Sequence, residues 1–155
     1  MNTKTHFFRR PRTGSPAMGL MKRLFGKEVT ANGRTDIMDR ISYCMDREKP
    51  YLDPDFTLEK LCRMVLSNTT TVSNAINKEY GMNFRRVINT RRSEYAYGLI
   101  EKNPEMDLHE VMRRSGFRSM DTFKLSFLMV YGINPKECRI RMRFPGLRHP
   151  SSSKG

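Results

Sequence analysis

Six short polar side chains, Thr69, Thr70, Thr71, Ser73, Asn74 and Asn77, fall within one predicted helix, Thr69–Tyr80. Threonine, serine and asparagine are poor helix formers, so helix stability does not account for them. They combine hydrogen-bond donors and acceptors on short stems, which suits base edges and phosphate oxygens. A merely solvated face would more often carry glutamate and lysine. A second predicted helix, Met120–Tyr131, offers the less uniform set Met120, Asp121, Thr122, Lys124 and Leu125. Arg85, Arg86, Lys124 and Lys136 are candidate phosphate partners, while Arg113 and Arg114 suit either a solvated face or a phosphate clamp.

Catalysis has no comparable basis. His6, His109 and His149 are scattered, and His109 stands beside Glu110 on the exposed side of a short predicted helix. There is no HExxH pair, no glycine-rich phosphate loop and no nucleophile elbow. The expectation is therefore no catalytic site, no metal and no cofactor. Cys44, Cys62 and Cys138 are odd in number and widely spaced, which excludes a disulfide framework and fits a reducing, cytoplasmic setting. No apolar run has the length of a membrane span. The stretch from Ala17 to Phe25 is broken by Lys22 and Arg23, so it does not form a secretory segment.

The formal net charge is +13, which favours a polyanionic partner. Residues 1–35 carry eight Lys/Arg and one acid, whereas residues 36–143 carry nineteen and fifteen. Much of the excess thus lies in the tails, and the middle is mixed in sign like a folded domain. Pro11, Gly14, Pro16, Gly19, Gly26 and Gly33 punctuate the first 35 residues, which read as a disordered basic arm. Residues 144–155, with two prolines and a serine run, read as a flexible tail.

Between the tails the hydrophobic period is helical throughout. Asp36–Lys49 places Ile37, Ile41, Cys44 and Met45 on one face, and Pro50 and Pro54 then interrupt. Thr57 caps Leu58–Val65, with Leu58, Leu61, Cys62 and Val65 inward; Asn68 caps Thr69–Tyr80, with Val72 and Ile76 inward. A long helix over about 84–101 presents Val87, Ile88, Tyr95, Ala96, Leu99 and Ile100. Asp107 caps Leu108–Ser115 and Ser119 caps Met120–Tyr131. Pro135 opens a last helix that ends near Arg143. The fold class is all-α, with seven helices.

The chain also repeats itself. Tyr80-Gly81-Met82-Asn83 recurs as Tyr131-Gly132-Ile133-Asn134 at a shift of 51, which also carries Val72 onto Phe123 and Ile76 onto Phe127. Leu61 maps onto Val111 at a shift of 50, so the second turn is one residue longer. Each copy is a short amphipathic helix, a tight turn and a second helix ending at glycine, the layout of a helix-turn-helix. A bundle with a duplicated hairpin would give the same repeat.

The segment from about Tyr51 to Arg141 resembles the DNA-binding domain of AraC-type transcription regulators. Gly116, Phe117, Phe123, Phe127, Gly132, Pro135 and Arg139 fall at that family's signature spacing. Leu61, Asn68, Val72, Ile76 and Gly81 agree in the first half, and Ile88, Arg92, Ala96, Leu99 and Ile100 agree in the long helix. The resemblance implies two helix-turn-helix subdomains, about 57–82 and about 107–133, joined by the long helix within a domain of residues 36–143. It implies double-stranded DNA as partner, with RNA polymerase or another regulatory protein as a further candidate.

Its base readers fall on Thr70, Ser73 and Asn74 in the first copy and on Met120, Asp121, Lys124 and Leu125 in the second. Asn68, Thr69, Ser119 and Thr122, near helix N-termini, join Arg85, Arg86 and Lys136 as backbone contacts. Arg92 falls to a structural role. Leu125 stands where the family commonly has a polar residue or arginine. The thirty-five or so residues upstream are too few for a sensor domain, so no small-molecule pocket is implied; the first helix and the 49–55 segment remain as a partner surface. The linking helix, roughly 27 Å long, is shorter than a DNA turn of about 34 Å, which leads us to expect bent DNA or unequal groove engagement. A nonspecific nucleic-acid binder or a protein-interaction module on the same scaffold is the alternative.

Overall fold

The computed structural model describes residues 36–146. The basic arm of residues 1–35 and the tail beyond Gly146 lie outside the described residues. Among the described residues there are seven α-helices and no strand: α1 (Ile37–Arg47), α2 (Leu58–Met64), α3 (Thr69–Tyr80), α4 (Phe84–Lys102), α5 (Leu108–Arg114), α6 (Met120–Tyr131) and α7 (Pro135–Arg143). Each matches a predicted element to within about two residues at either end. The chain forms two compact units, dividing between Ile88 and Asn89 inside α4.

In the first unit, α1 and α2 both pack on α3. The packed face follows from the apolar spacing: Ile41, Cys44 and Met45 from α1, Leu61 and Cys62 from α2, and Val72 and Ile76 from α3 are buried. Burying each large aliphatic contributes on the order of 1.5–3 kcal/mol. The 49–55 segment, where Pro50 and Pro54 interrupt the helical period, is partly packed. Pro50–Leu52 form a 3-10 turn, entered through Lys49 in the left-handed region, and Tyr51 and Phe56 are buried. The Phe56 ring lies 5.7 Å from that of Phe84. Two aromatic side chains flanking the prolines hold this segment on the core, and α1 gives its apolar face to the same core. Outward on α1, Tyr43 is exposed, as are Lys49, Asp53, Pro54 and Asp55 in the segment that follows.

The second unit has its own core of Ala96, Ile100, Val111, Met112, Phe117, Phe123, Phe127 and Cys138. Phe123 packs between Phe117 and Phe127, with ring centroids 5.3 and 5.8 Å away. Tyr97 stacks on Tyr131 at 4.6 Å, where burial pushes the Tyr131 phenol far above its usual range. The Arg92 guanidinium sits over the Phe117 ring at 5.9 Å. Arg139 donates to the Met106 carbonyl at 3.3 Å and ties α7 to the turn ahead of α5.

Candidate nucleic-acid interface

The position of α3 is set by its two ends. The Asn68 side chain accepts from the Thr71 amide at 2.8 Å, satisfying a backbone donor that the first turn leaves over. At the far end Gly81 takes φ 63°, and its amide returns to the Asn77 carbonyl at 2.8 Å. Val72 and Ile76 fix the helix's rotation, and this leaves Thr69, Thr70, Thr71, Asn74 and Asn77 exposed, with Ser73 half-buried at the edge. Thr70 and Asn74 are four residues apart, so they share one side of the helix with Ser73 beside them. No acid lies in the first turn of α3, so its N-terminus keeps its partial positive charge for an anion.

The turn between α2 and α3 closes by backbone geometry. Leu66 takes φ 51°, its amide donates to the Arg63 carbonyl at 3.3 Å, and the Ser67 amide donates to the Cys62 carbonyl at 2.9 Å. The Arg40 guanidinium, from α1, donates to the Val65 carbonyl at 2.8 Å and clamps the same turn. The chain then enters α4 through Asn83, whose side chain accepts from the Arg86 amide at 2.9 Å. That cap places the exposed Arg85 and Arg86 in the first turn of α4, again with no acid in that turn. The cap on α4 was missed by the sequence reading, although an asparagine just before a helix was the signal.

The second copy repeats this local architecture on different chemistry. Asp107 accepts from the amides of His109 and Glu110, and these bonds, that to His109 first, hold its carboxyl below the usual range. The turn after α5 has Gly116 at φ 80° where the first copy has Leu66, and the Phe117 amide donates to the Met112 carbonyl at 3.1 Å. Ser119 caps α6: its Oγ accepts from the Thr122 amide at 3.3 Å and donates to the Thr122 hydroxyl at 2.9 Å. The Thr122 hydroxyl is thereby tied to the cap at the start of α6. Gly132 ends the helix at φ 70°. Phe123, Ser126 and Phe127 turn inward, and Asp121, Lys124 and Leu125 turn outward.

Met120 is divided between these roles, because it packs partly on the core of the second unit. Asn134 caps α7 by accepting from the Glu137 amide, Pro135 is buried in the first turn, and Lys136 is exposed beside it. Arg113 and Arg114 are both ion-paired to Glu110, which favours the solvated-face reading over a phosphate clamp. The three described cysteines are free, buried thiols; desolvation pushes Cys44 and Cys138 up to about 11 and raises Cys62. Burial among apolar side chains favours the protonated thiol at all three positions. Among the described residues no group of His, Cys, Asp and Glu is placed to hold a metal ion, and no helix is long and apolar enough to cross a membrane.

Comparison with known proteins agrees with this architecture. A family model described as a helix-turn-helix domain matches residues 61–141. The C-terminal domain of the two-component response regulator yesN from Fusobacterium nucleatum subsp. nucleatum is similar at a TM-score of 0.58 and 26% identity, over 68% of this chain and 99% of that one. The C-terminal domain of AraT, a response regulator from Geobacillus stearothermophilus, aligns at a TM-score of 0.58 and 21% identity, over 76% of this chain and 92% of that one. A Listeria innocua protein of unknown function aligns at the same TM-score and 21% identity, over 69% and 97%. No curated protein matches the chain.

Proposed function

Because this chain belongs to the AraC-type helix-turn-helix family of DNA-binding transcription regulators, we propose that it binds double-stranded DNA with sequence preference. In this reading α3 and α6 each enter a major-groove segment. The observation that carries it is the exposed side of α3, where Thr70, Ser73 and Asn74 stand on a helix held at both ends and rotated by two buried residues. An asparagine on such a face can pair with adenine N6 and N7, and the two hydroxyls can serve either base edges or phosphates. Asp121, Lys124 and Leu125, with a lesser share for Met120, are the readers of the second copy. Asn68, Thr69, Arg85, Arg86, Ser119, Thr122 and Lys136 contact the backbone, fixing position without reading sequence.

The domain is taken as residues 36–143, acting in the cytoplasm, with RNA polymerase or another regulatory protein as a further candidate partner. At 19 residues α4 is about 28 Å long, still short of one DNA turn of about 34 Å, so we expect either a bent duplex or unequal engagement of the two grooves. The test is selection of duplexes from a random pool by the full chain at stated salt. Wild type is expected to return a shared sequence, and Asn74→Ala is expected to relax it at one position, at a cost of about 1–3 kcal/mol there. Uniform recovery of the pool by wild type would refute sequence preference.

A further inference from the structure

The shift of 51 that relates the two copies places Leu125 of α6 where α3 has Asn74. The surrounding positions keep their structural duties across that shift. Asn68 and Ser119 cap, Val72 and Phe123 are buried, Ile76 and Phe127 are buried, and Gly81 and Gly132 end the helices left-handed. Leu125 does not share in that packing. It is 61% exposed, on a helix whose inward face is already occupied by Phe123, Ser126 and Phe127. It lies one turn beyond exposed Asp121 and next to exposed Lys124. Asp121 and Lys124 make this the outward, hydrated side of α6, and Leu125, with exposed Leu128 and Met129 beyond it, leaves a patch of apolar surface in water there.

We propose that Leu125 is a specificity-determining residue that reads the C5-methyl group of thymine in the major groove. The inference rests on the duplex-binding reading above and deepens it. Thymine is the one base of ordinary DNA that presents a methyl group in that groove, and aliphatic side chains are its natural contact. The neighbours fit such an approach: exposed Lys124 carries positive charge next to Leu125, and Thr122 places a hydroxyl at the helix start, while Asp121 in the first turn offsets the field of the helix end. The two copies would then read by different chemistry at equivalent positions, hydrogen bonds at Asn74 and apolar contact at Leu125. Leu128 and Met129 continue the exposed apolar stripe toward Gly132. A protein partner seated on that stripe would be indifferent to the bases, which gives the test its second arm.

The experiment uses the full chain and duplexes recovered from a random pool. Each thymine of the recovered sequence is replaced, one at a time, by uracil, which lacks only the methyl. One such replacement is expected to weaken wild-type binding about fourfold, the equivalent of one buried methyl. The same replacement should leave Leu125→Ala unchanged, and selection with Leu125→Ala should lose the preference for that thymine. Leu125→Gln should shift the preference toward adenine while the helix is kept. A thermal melt of each variant shows that it is folded. A wild type indifferent to every uracil, or an equal loss in Leu125→Ala, overturns the thymine contact and leaves sequence preference standing. A wild type that recovers no shared sequence overturns both.

Discussion

Replacing Leu66 by glycine should stabilise the first unit, although it removes a large hydrophobic residue. Leu66 sits at φ 51° in the turn between α2 and α3. A left-handed backbone brings Cβ close to the following carbonyl oxygen, which costs an L-residue about 1–2 kcal/mol. Glycine escapes that cost but gives the unfolded chain more freedom, a loss of roughly 0.5–1 kcal/mol. The side chain is 85% exposed, so its lost burial is only a small part of the ~1.5–3 kcal/mol of a fully buried leucine. The net expectation for Leu66→Gly is a gain of about 0.5 kcal/mol, or a few degrees in melting temperature. The second copy supplies the reverse experiment. Gly132 is at φ +70°, and a Cβ added there would meet nothing within 4 Å. Gly132→Ala should therefore cost about 1 kcal/mol from backbone strain alone. Urea unfolding followed by far-UV circular dichroism, with the slope checked for constancy, reads both. A Leu66→Gly variant less stable than wild type by more than about 0.5 kcal/mol would refute the reasoning, since it would mean that the side chain carries contacts its exposure denies.

Removing the α3 cap with Asn68→Ala should cost about 1 kcal/mol, and Asn68→Ser should restore most of it, as read by the same unfolding assay. Arg85→Ala and Arg86→Ala should each weaken duplex binding evenly across sequences and lower the slope of log K against log salt by about 0.9, measured by titration at several salt concentrations. Asp107 has a folded-state pKa below its unfolded value, so its contribution is present above the ordinary aspartate range and lost as pH falls through the folded value. Asp107→Ser keeps a capping oxygen that does not titrate, and its stability should fall less than that of wild type between about pH 5 and pH 3. The Cys44 and Cys138 thiols, raised to about 11, should resist alkylation at pH 8 until the chain is unfolded.

Most of the fold was legible because its signals are local. Thr57, Asn68, Asp107 and Ser119 are helix caps whose partners lie two or three residues away, so the sequence carries both halves of each interaction. The buried faces of α2, α3, α5 and α6 follow from the helical period, and Gly81 and Gly132 declare the left-handed ends. What was missed depends on residues far apart or on a side chain with no tell. The bonds from Arg40 to the Val65 carbonyl and from Arg139 to the Met106 carbonyl join residues 25 and 33 positions apart. Leucine gives no hint of a left-handed backbone, although alignment of Leu66 with Gly116 held one. The aromatic pair Tyr51 and Phe56 was obscured by the prolines beside it, which fit a packed turn as well as an open linker.

The polar face of α3 was visible for a different reason: it goes against helix propensity without a structural return. Thr70, Thr71, Asn74 and Asn77 each weaken the helix relative to alanine, and none of them is buried. Leu125 on α6 runs counter to expectation in the opposite sense, being a good helix former that leaves apolar surface in water. The caps, cores and glycine ends of the two copies fix how each helix is held, and none of those duties falls on the positions related as Asn74 to Leu125. Those positions are therefore free to differ between copies without disturbing the fold. Across the repeat, burial is kept while the residue changes, at Val72 and Phe123 and at Ile76 and Phe127, and the left-handed glycine is kept at Gly81 and Gly132, whereas the outward pair Asn74 and Leu125 differs in chemistry without touching either duty.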